Sequence, residues 1–419
     1  MDLKRAVVTG MGALTPIGLT VRDFWSAAVH GTSGAAPITH FDASAFKTRF
    51  ACELKGLDIS AFIHRKEQRR LDLFSQYALI CADQAVQDAG VAADDSIDKD
   101  RVGVIWSSGI GGLNVFEEEI TAYATGDGTP RFNPFFIPKM IVDIAPGHIS
   151  MRYGFRGINF APVAACASST IALIDALNYI RLGKADVIVA GGSEAPITPG
   201  GVGGFGAMRA LSTRNDECET ASRPFDATRD GFVIGEGAGA LVIEELEHAK
   251  RRGATILAEL AGGGMSADAH HLTAPHPEGL GAKNVMTLAL DDAGLNPDDL
   301  DHINVHGTST PLGDVAELLA VREVFGPHAF DLSITSTKSM TGHLLGAAGA
   351  IEAVASVQAV REGVIPPTIN HTTPDDRIDE RFDLTLNEPT ERPVRAALSN
   401  TFGFGGHNAS VVFRRFAPE

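Results

Sequence analysis

Ala161-Pro162-Val163-Ala164-Ala165-Cys166-Ala167-Ser168-Ser169-Thr170 is the stretch from which the fold can be read most directly. A strand-like apolar run over residues 161–165 leads into a segment where Ile171, Ile174, Leu177 and Ile180 recur at helical spacing, with Gly183 as the stop. Cys166 falls at the junction of the two. There the positive end of a helix dipole and the unpaired backbone N–H groups favour a thiolate. The small neighbours leave room for a substrate. A lone buried cysteine is more often structural than reactive, so the junction by itself settles only local structure.

The strand-then-helix rhythm extends in both directions. Upstream, residues 6–9 read as a buried strand closed by Gly10, residues 67–89 as an amphipathic helix, and residues 102–106 as a strand ending in a Gly-rich turn. Downstream come a strand at 187–190 closed by Gly191 and Gly192, a strand at 241–243 and a charged helix at 244–252. The second half repeats the pattern, with strands at 303–305 and 333–336 and helices at 315–324 and 346–360. Closing strands follow near 394–398 and 410–413. Strands alternating with helices predict an α/β protein with a mostly parallel, buried sheet. A division near residues 253–260 separates an N-terminal half, 1–255, from a C-terminal half, 256–419.

Bulk composition narrows the function classes. The chain has 419 residues, 44% of them hydrophobic and 21% charged, as in a soluble globular protein. A formal charge of -17 argues against broad binding to nucleic acid or to anionic membranes, while leaving space for a small basic patch facing an acidic partner. Cys52, Cys81, Cys166 and Cys218 are too few and too scattered for a disulfide framework, which suggests reduced thiols in a cytoplasm. The opening residues, Met1 to Arg5 and the short apolar run after them, lack the pattern of a secretory leader. No apolar run is long enough for a transmembrane helix.

Two apparent motifs fail on inspection. Thr9-Gly10-Met11-Gly12 follows a strand, but Thr15 stands where a dinucleotide fingerprint needs a small residue and Pro16 where its helix should run. His270, His271 and His276 match no helix-borne ligand spacing and read as a solvated loop. Two other histidines look positioned. His306, in Asn304-Val305-His306-Gly307-Thr308-Ser309-Thr310, and His343, in Lys338-Ser339-Met340-Thr341-Gly342-His343, each follow a strand's C-terminal end, where crevices of parallel sheets lie. The Gly-rich turn Phe402-Gly403-Phe404-Gly405-Gly406 can offer N–H donors to a developing oxyanion.

Together, the Cys166 junction, the two histidine motifs and the 402–406 turn resemble the elongating β-ketoacyl-acyl carrier protein synthases, type II, over residues 5 to about 414. The resemblance implies a duplicated thiolase-like fold with a layered α-β-α-β-α arrangement, a homodimer and no cofactor. It also implies decarboxylative Claisen condensation of an acyl-enzyme thioester with malonyl-acyl carrier protein in fatty acid elongation. On that reading Cys166 takes the acyl chain, and the N–H groups of Cys166 and Phe402 form the oxyanion hole. His306 and His343 promote decarboxylation, while Lys338 orients the site with Glu352 as its buried partner. Thr308 and Thr310, with Thr273, match pantetheine-contacting positions. Ile110, Phe136 and Phe205 match the acyl-pocket lining, and Phe402 its gate. Lys66, Arg69, Arg70, Arg131 and Arg209 match the surface where acyl carrier protein docks. Asn304, Glu352, Ser399 and Asn400 match positions where some members hold a monovalent cation.

Two positions depart from the family pattern: His407 stands where relatives commonly carry Thr, and Ala274 where a second small hydroxyl is usual. The nearest rival is a condensing enzyme of a specialised polyketide or modified-lipid pathway. A biosynthetic thiolase wants a second catalytic cysteine late in the chain, and no cysteine lies beyond Cys218. A non-catalytic partner subunit would be expected to lose the nucleophile that is kept here.

Overall fold

The computed structural model describes residues 3–417, so Met1 and Asp2 of the N-terminal stretch considered above lie outside the described residues. Ten strands form the main sheet. In chain order they are β1 (Ala6–Leu14), β2 (Val102–Ser107), β3 (Asn159–Phe160), β4 (Val187–Glu194) and β5 (Gly237–Glu245), then β6 (Ala258–Ala267), β7 (His302–Asn304), β8 (Ser333–Thr335), β9 (Ala396–Gly403) and β10 (His407–Arg414). Their spatial order is β8-β7-β9-β10-β6-β1-β5-β4-β2-β3. Read outward from the central β1–β6 seam, the two halves carry the same strand order offset by five, which is the signature of a duplicated unit. The seam itself is short, pairing Val7 with Glu259 and Val8 with Ala258.

Four of the nine neighbour pairings are parallel, β2–β3, β2–β4, β7–β8 and β7–β9. The other five, through the middle of the sheet, are antiparallel. The expectation of a mostly parallel sheet is therefore corrected. Alternation with helices governs only the outer strands. Between β9 and β10 no helix intervenes, and positive φ at Gly405 and Gly406 turns the chain straight back.

Five helices set the layers: α1 (Leu73–Ala89), α2 (Ser168–Arg181), α3 (Leu280–Ala293), α4 (Gly313–Phe325) and α5 (Ala348–Glu362). Helices α2 and α5 touch each other and strands of both halves, so they lie between the half-sheets. Helix α1 covers the outer face of the first half, and α3, backed by α4, covers that of the second. The result is the five-layer α-β-α-β-α arrangement. Its middle layer is deeply buried: every residue of α5 from Ala348 to Val360 is covered, the polar Glu352, Ser356 and Gln358 included. No described helix is long and apolar enough to cross a membrane.

Local differences from the sequence reading have physical causes. The helix expected at 67–89 is interrupted, because Asp72 leaves the helical path to cap α1 through Phe74 N–H, leaving Arg65–Gln68 as a separate turn. The strand expected at 161–165 is absent: β3 stops at Phe160, before Pro162, which has no N–H to give a ladder. Strand β4 runs through Gly191 and Gly192 to Glu194, since these glycines allow close approach of Trp106 and the Gly346 carbonyl and do not break the strand.

Gly12 faces α1 so closely that a Cβ there would collide with the Cys81 carbonyl oxygen. Gly12→Ala is expected to destabilise the fold by about 1–3 kcal/mol through overpacking, read as a lower midpoint of guanidinium unfolding followed by circular dichroism.

Candidate active site

The junction singled out in the sequence is a strained elbow. Ala165 adopts φ +49°, a left-handed conformation that costs a non-glycine residue about 1 kcal/mol. A 3-10 turn over Ala165–Ala167 then delivers Cys166 to the start of α2. Gly403, at the end of β9, makes the elbow possible. A Cβ there would lie 2.6 Å from the Ala164 carbonyl oxygen and 3.1 Å from the Cys166 nitrogen.

His343 reaches this thiol, with Nε2 3.1 Å from Cys166 Sγ. Its backbone is pinned on both sides of the peptide, His343 N–H donating to the Val233 carbonyl at 2.7 Å and Gly235 N–H donating to the His343 carbonyl at 2.9 Å. The His306 ring stands edge-on to that of His343, centroids 5.3 Å apart, and packs on Phe402 at 5.5 Å. Phe232 closes the other side of His343 at 5.3 Å. These groups share one cavity of about 390 Å³, lined also by Thr308, Thr310, Thr273, Phe205, Arg209 and Phe404.

Electrostatically the site is buried and poised neutral. The helix start alone predicts a thiolate at Cys166. Burial outweighs it, pushing the thiol up to about 12, while the Lys338 ammonium pulls it back. Burial also holds both imidazoles well below the usual histidine range, with Lys338 lowering them further. The resting pair is thus a thiol beside a neutral imidazole. Lys338 Nζ is itself buried against the Glu352 carboxylate. Burial pushes Glu352 up to about 7, against the pull of Lys338.

Besides Lys338, the backbone N–H groups of Phe404 and of Cys166 itself also pull the Cys166 thiol down. Phe402 pairs with Asn408 in the β9–β10 ladder and turns its ring to His306. The two phenylalanines alternate along a Gly-rich strand, and their spacing does not distinguish them. Glu317 escaped the sequence reading altogether. Its carboxylate on α4 accepts the N–H groups of His306 at 2.8 Å and Gly307 at 2.9 Å, and Asn400 Nδ2 at 3.1 Å. Burial raises it to about 7. A glutamate among Ala316, Leu318 and Leu319 was its only signal.

The remaining predicted residues divide. Thr308 Oγ1 lies 3.2 Å from Thr310 Oγ1 on the cavity wall, and Phe205 packs on Phe404 at 6.4 Å. Ile110 and Phe136 do not line this cavity. Ile110 is 40% exposed, and Phe136 sits in an apolar surface band with Phe116 and Phe132. Lys66, Arg69 and Arg70 are exposed at the short helix before α1, and Arg70 stands over the Phe135 ring at 5.3 Å. Arg131 is exposed elsewhere, 3.5 Å from Asp127, while Arg209 lies at the cavity. Asn304 and Ser399 are register partners on β7 and β9. Both Asn304 side-chain atoms, Ser399 Oγ and Glu352 Oε2 are buried without a hydrogen-bond partner. Asn400 is satisfied, its Oδ1 accepting from Ser410 at 2.6 Å.

Nitrogen-15 NMR of the 14 histidines should find the His306 and His343 rings still neutral at pH 5.5, below the usual histidine value of about 6.5. Imidazolium signals from both at that pH, assigned through His→Gln variants, are the contrary result.

Two family models match the chain: β-ketoacyl synthase, N-terminal domain, over residues 4–249, and β-ketoacyl synthase, C-terminal domain, over residues 257–372. The 3-oxoacyl-acyl-carrier-protein synthase 2 of Coxiella burnetii is 47% identical over 415 residues, covering 99% of this chain and 99% of that protein. The Staphylococcus aureus protein of the same name is 48% identical over 414 residues, again with 99% of each chain covered. Among solved structures, a β-ketoacyl synthase from Burkholderia phymatum superposes with a TM-score of 0.91 at 36% identity, covering 99% of this chain and 100% of that one. A hexaketide-bound ketosynthase, solved in complex with its type II polyketide acyl-carrier protein, gives 0.90 at 35% identity, covering 99% and 100%. Matched by both family models and by relatives along its whole length, this chain belongs to the β-ketoacyl synthase family.

Proposed function

We propose that the chain condenses an acyl group carried on Cys166 with malonyl-acyl carrier protein, releasing carbon dioxide and giving β-ketoacyl-acyl carrier protein in fatty acid elongation. The observation that carries this reading is the 3.1 Å contact between Cys166 Sγ and His343 Nε2 in a cavity that also exposes His306. Acyl transfer begins as neutral His343 takes the thiol proton and Sγ attacks the incoming thioester. The N–H groups of Cys166 and Phe404 meet the oxyanion, and the carrier's thiol departs with the proton. In the second half-reaction, N–H groups of the two imidazoles hold the malonyl thioester oxygen while carbon dioxide leaves. The enolate carbon then attacks the acyl thioester and Cys166 is the leaving group. Two neutral imidazoles suit this step, since each still has an N–H to give and adds no full charge to a buried site.

The other residues take supporting parts. Burial keeps both imidazoles neutral, and Lys338, paired to Glu352, adds to that effect. Thr308, Thr310 and Thr273 hold the pantetheine arm, with one hydrogen bond fewer where Ala274 replaces a hydroxyl. Phe402 gates the cavity, and Phe205 lines the acyl pocket. Acyl carrier protein docks on Arg209, Lys66, Arg69, Arg70 and Arg131, cations on an otherwise acidic chain. The orphaned buried atoms of Asn304, Ser399 and Glu352 support a monovalent cation there, with Asn400 beside it. The apolar band of Phe116, Phe132, Phe135 and Ile137 supports a homodimer, in which the partner covers Ile110 and Phe136. The repeated strand order supports a division into residues 1–255, bearing the nucleophile, and 256–419, bearing both histidines. Four free thiols support a cytoplasmic setting. A specialised polyketide role is disfavoured by the lower identity to the polyketide ketosynthase, 35% against 47% for the Coxiella burnetii protein.

Intact-mass analysis with acyl-carrier proteins of graded chain length should reveal a covalent acyl adduct that is lost in Cys166→Ala. An adduct on any other cysteine overturns the nucleophile. His306→Ala and His343→Ala should both keep some acylation, yet lose malonyl decarboxylation by about 10²–10³-fold, the effect of removing one oxyanion donor. Undiminished decarboxylation in both variants rejects the division of labour. The pair Phe116→Glu, Ile137→Glu should sediment as a monomer; an unchanged dimer, or a monomeric wild type, removes the assigned interface.

A further inference from the structure

The duplicated fold contains a second elbow, and its contents point to a residue that the mechanism above does not use. At the start of α5, Leu345 adopts φ +47°, a 3-10 turn covers Leu345–Ala347, and Gly346 stands where Cys166 stands at the start of α2. The neighbouring strand end differs in kind. Gly403 closes β9 opposite His407, and the corresponding last residue of β4, opposite Gly237, is Glu194. Beside Cys166 the missing side chain leaves a donor open. Beside Gly346 a buried carboxylate fills the equivalent place. Glu194 accepts Gly346 N–H at 2.9 Å, Gly109 N–H at 2.6 Å, Ile110 N–H at 3.2 Å and Ser108 Oγ at 2.6 Å.

Gly109 connects this internal anion to the working elbow. A Cβ on Gly109 would sit 2.9 Å from Glu194 Oε2, 3.2 Å from the Ala165 carbonyl oxygen and 3.3 Å from Gly346 N. The 108–110 turn is thus a wedge between the two elbows, held on one side by Glu194 and pressed on the other against the strained residue preceding the nucleophile. We propose that Glu194 is a positioning residue: by anchoring the Gly109 wedge it keeps Ala165 left-handed and Cys166 Sγ aimed at His343. The wedge needs all four donors answered by one acceptor group, which a carboxylate does and a carboxamide, with its own N–H₂, does not. Released, Ala165 relaxes toward negative φ and the thiol leaves the imidazole.

The proposal rests on the acyl-transfer reading of Cys166, and the test separates the two. Wild-type protein, mixed with acyl-carrier protein, must first form the Cys166 adduct; its absence rejects that reading and not this one. Glu194→Gln should then slow acylation by about 10- to 100-fold, the cost of misplacing a reacting group by an ångström or so. Decarboxylation of malonyl-acyl carrier protein without an acyl donor, and the thermal midpoint, should stay close to wild type. Adding Ala165→Gly, which makes positive φ inexpensive, should restore a large part of the acylation rate. Gly109→Ala, whose Cβ crowds the wedge against both Glu194 Oε2 and the Ala165 carbonyl while leaving the carboxylate chemically unchanged, should show the same selective loss and serves should Glu194→Gln fail to fold. Normal acylation in either folded variant overturns the proposal. So does a parallel loss in both half-reactions with a matching fall in thermal midpoint, or a double variant no faster than Glu194→Gln.

Discussion

The chemistry depends on how closely α2 and α5 approach each other between the two half-sheets. Gly349 lies so near Thr170 that a Cβ there would collide with Oγ1 of that threonine. Thr170 Oγ1 in turn lies 2.8 Å from Thr401 Oγ1 on β9, and Ala350 N–H donates to Ser169 Oγ at 3.0 Å. Small and hydroxylated side chains along this contact let two helix starts, two strand ends and the loops after β7 and β8 converge within one cavity. Bulkier residues would separate the thiol from the imidazole long before they unfolded the sheet, because interiors packed at crystal density transmit a displacement and do not absorb it.

Burial sets the electrical character of what converges there. Cys166, His343, Lys338 and Glu352 are all buried, with 8% or less of their surface exposed. In such surroundings an isolated charge is costly, so the thiol and both rings stay neutral, and the sole cation among these groups is neutralised by its own carboxylate. The ammonium of Lys338 nonetheless acts over several ångströms, lowering both rings and pulling the thiol down. Its field reaches all three because the intervening medium screens it weakly. Glu317 works differently. It spends its hydrogen-bonding capacity on the backbone beside His306, fixing a ring that has no protein partner at Nδ1.

The sequence made the residues that gather around Cys166 legible, but not the N–H groups beside its thiol. Cys166, His306, His343 and Lys338 each sit at an abrupt change between strand, turn and helix, which glycines and hydroxyl residues mark in one dimension. Phe404 and Phe402 carry the same residue type two positions apart, and only the path of β9 past Gly403 shows whose N–H meets sulfur. Glu194 and Glu317 were invisible for a related reason. A carboxylate that satisfies distant backbone groups leaves no periodic or local pattern. The antiparallel middle of the sheet was missed because alternation with helices reports on neighbours in sequence, whereas β1 pairs with β5 and β6, strands more than two hundred residues away.

That distance has a consequence for the birth of the molecule. Cys166 is synthesised early, yet Gly403 and Phe404, which complete its surroundings, follow it by roughly 240 residues. At ribosomal speeds of about 5–20 residues per second, about 10–50 s separate the two. Strand β6 and His343 are made within that interval, but until the β9–β10 hairpin follows, the thiol lacks Gly403 and the Phe404 N–H beside it. A chain truncated before β9 therefore lacks the strand end that shapes the Cys166 elbow. The surroundings of Cys166 are thus complete only when the last hairpin, β9–β10, has closed.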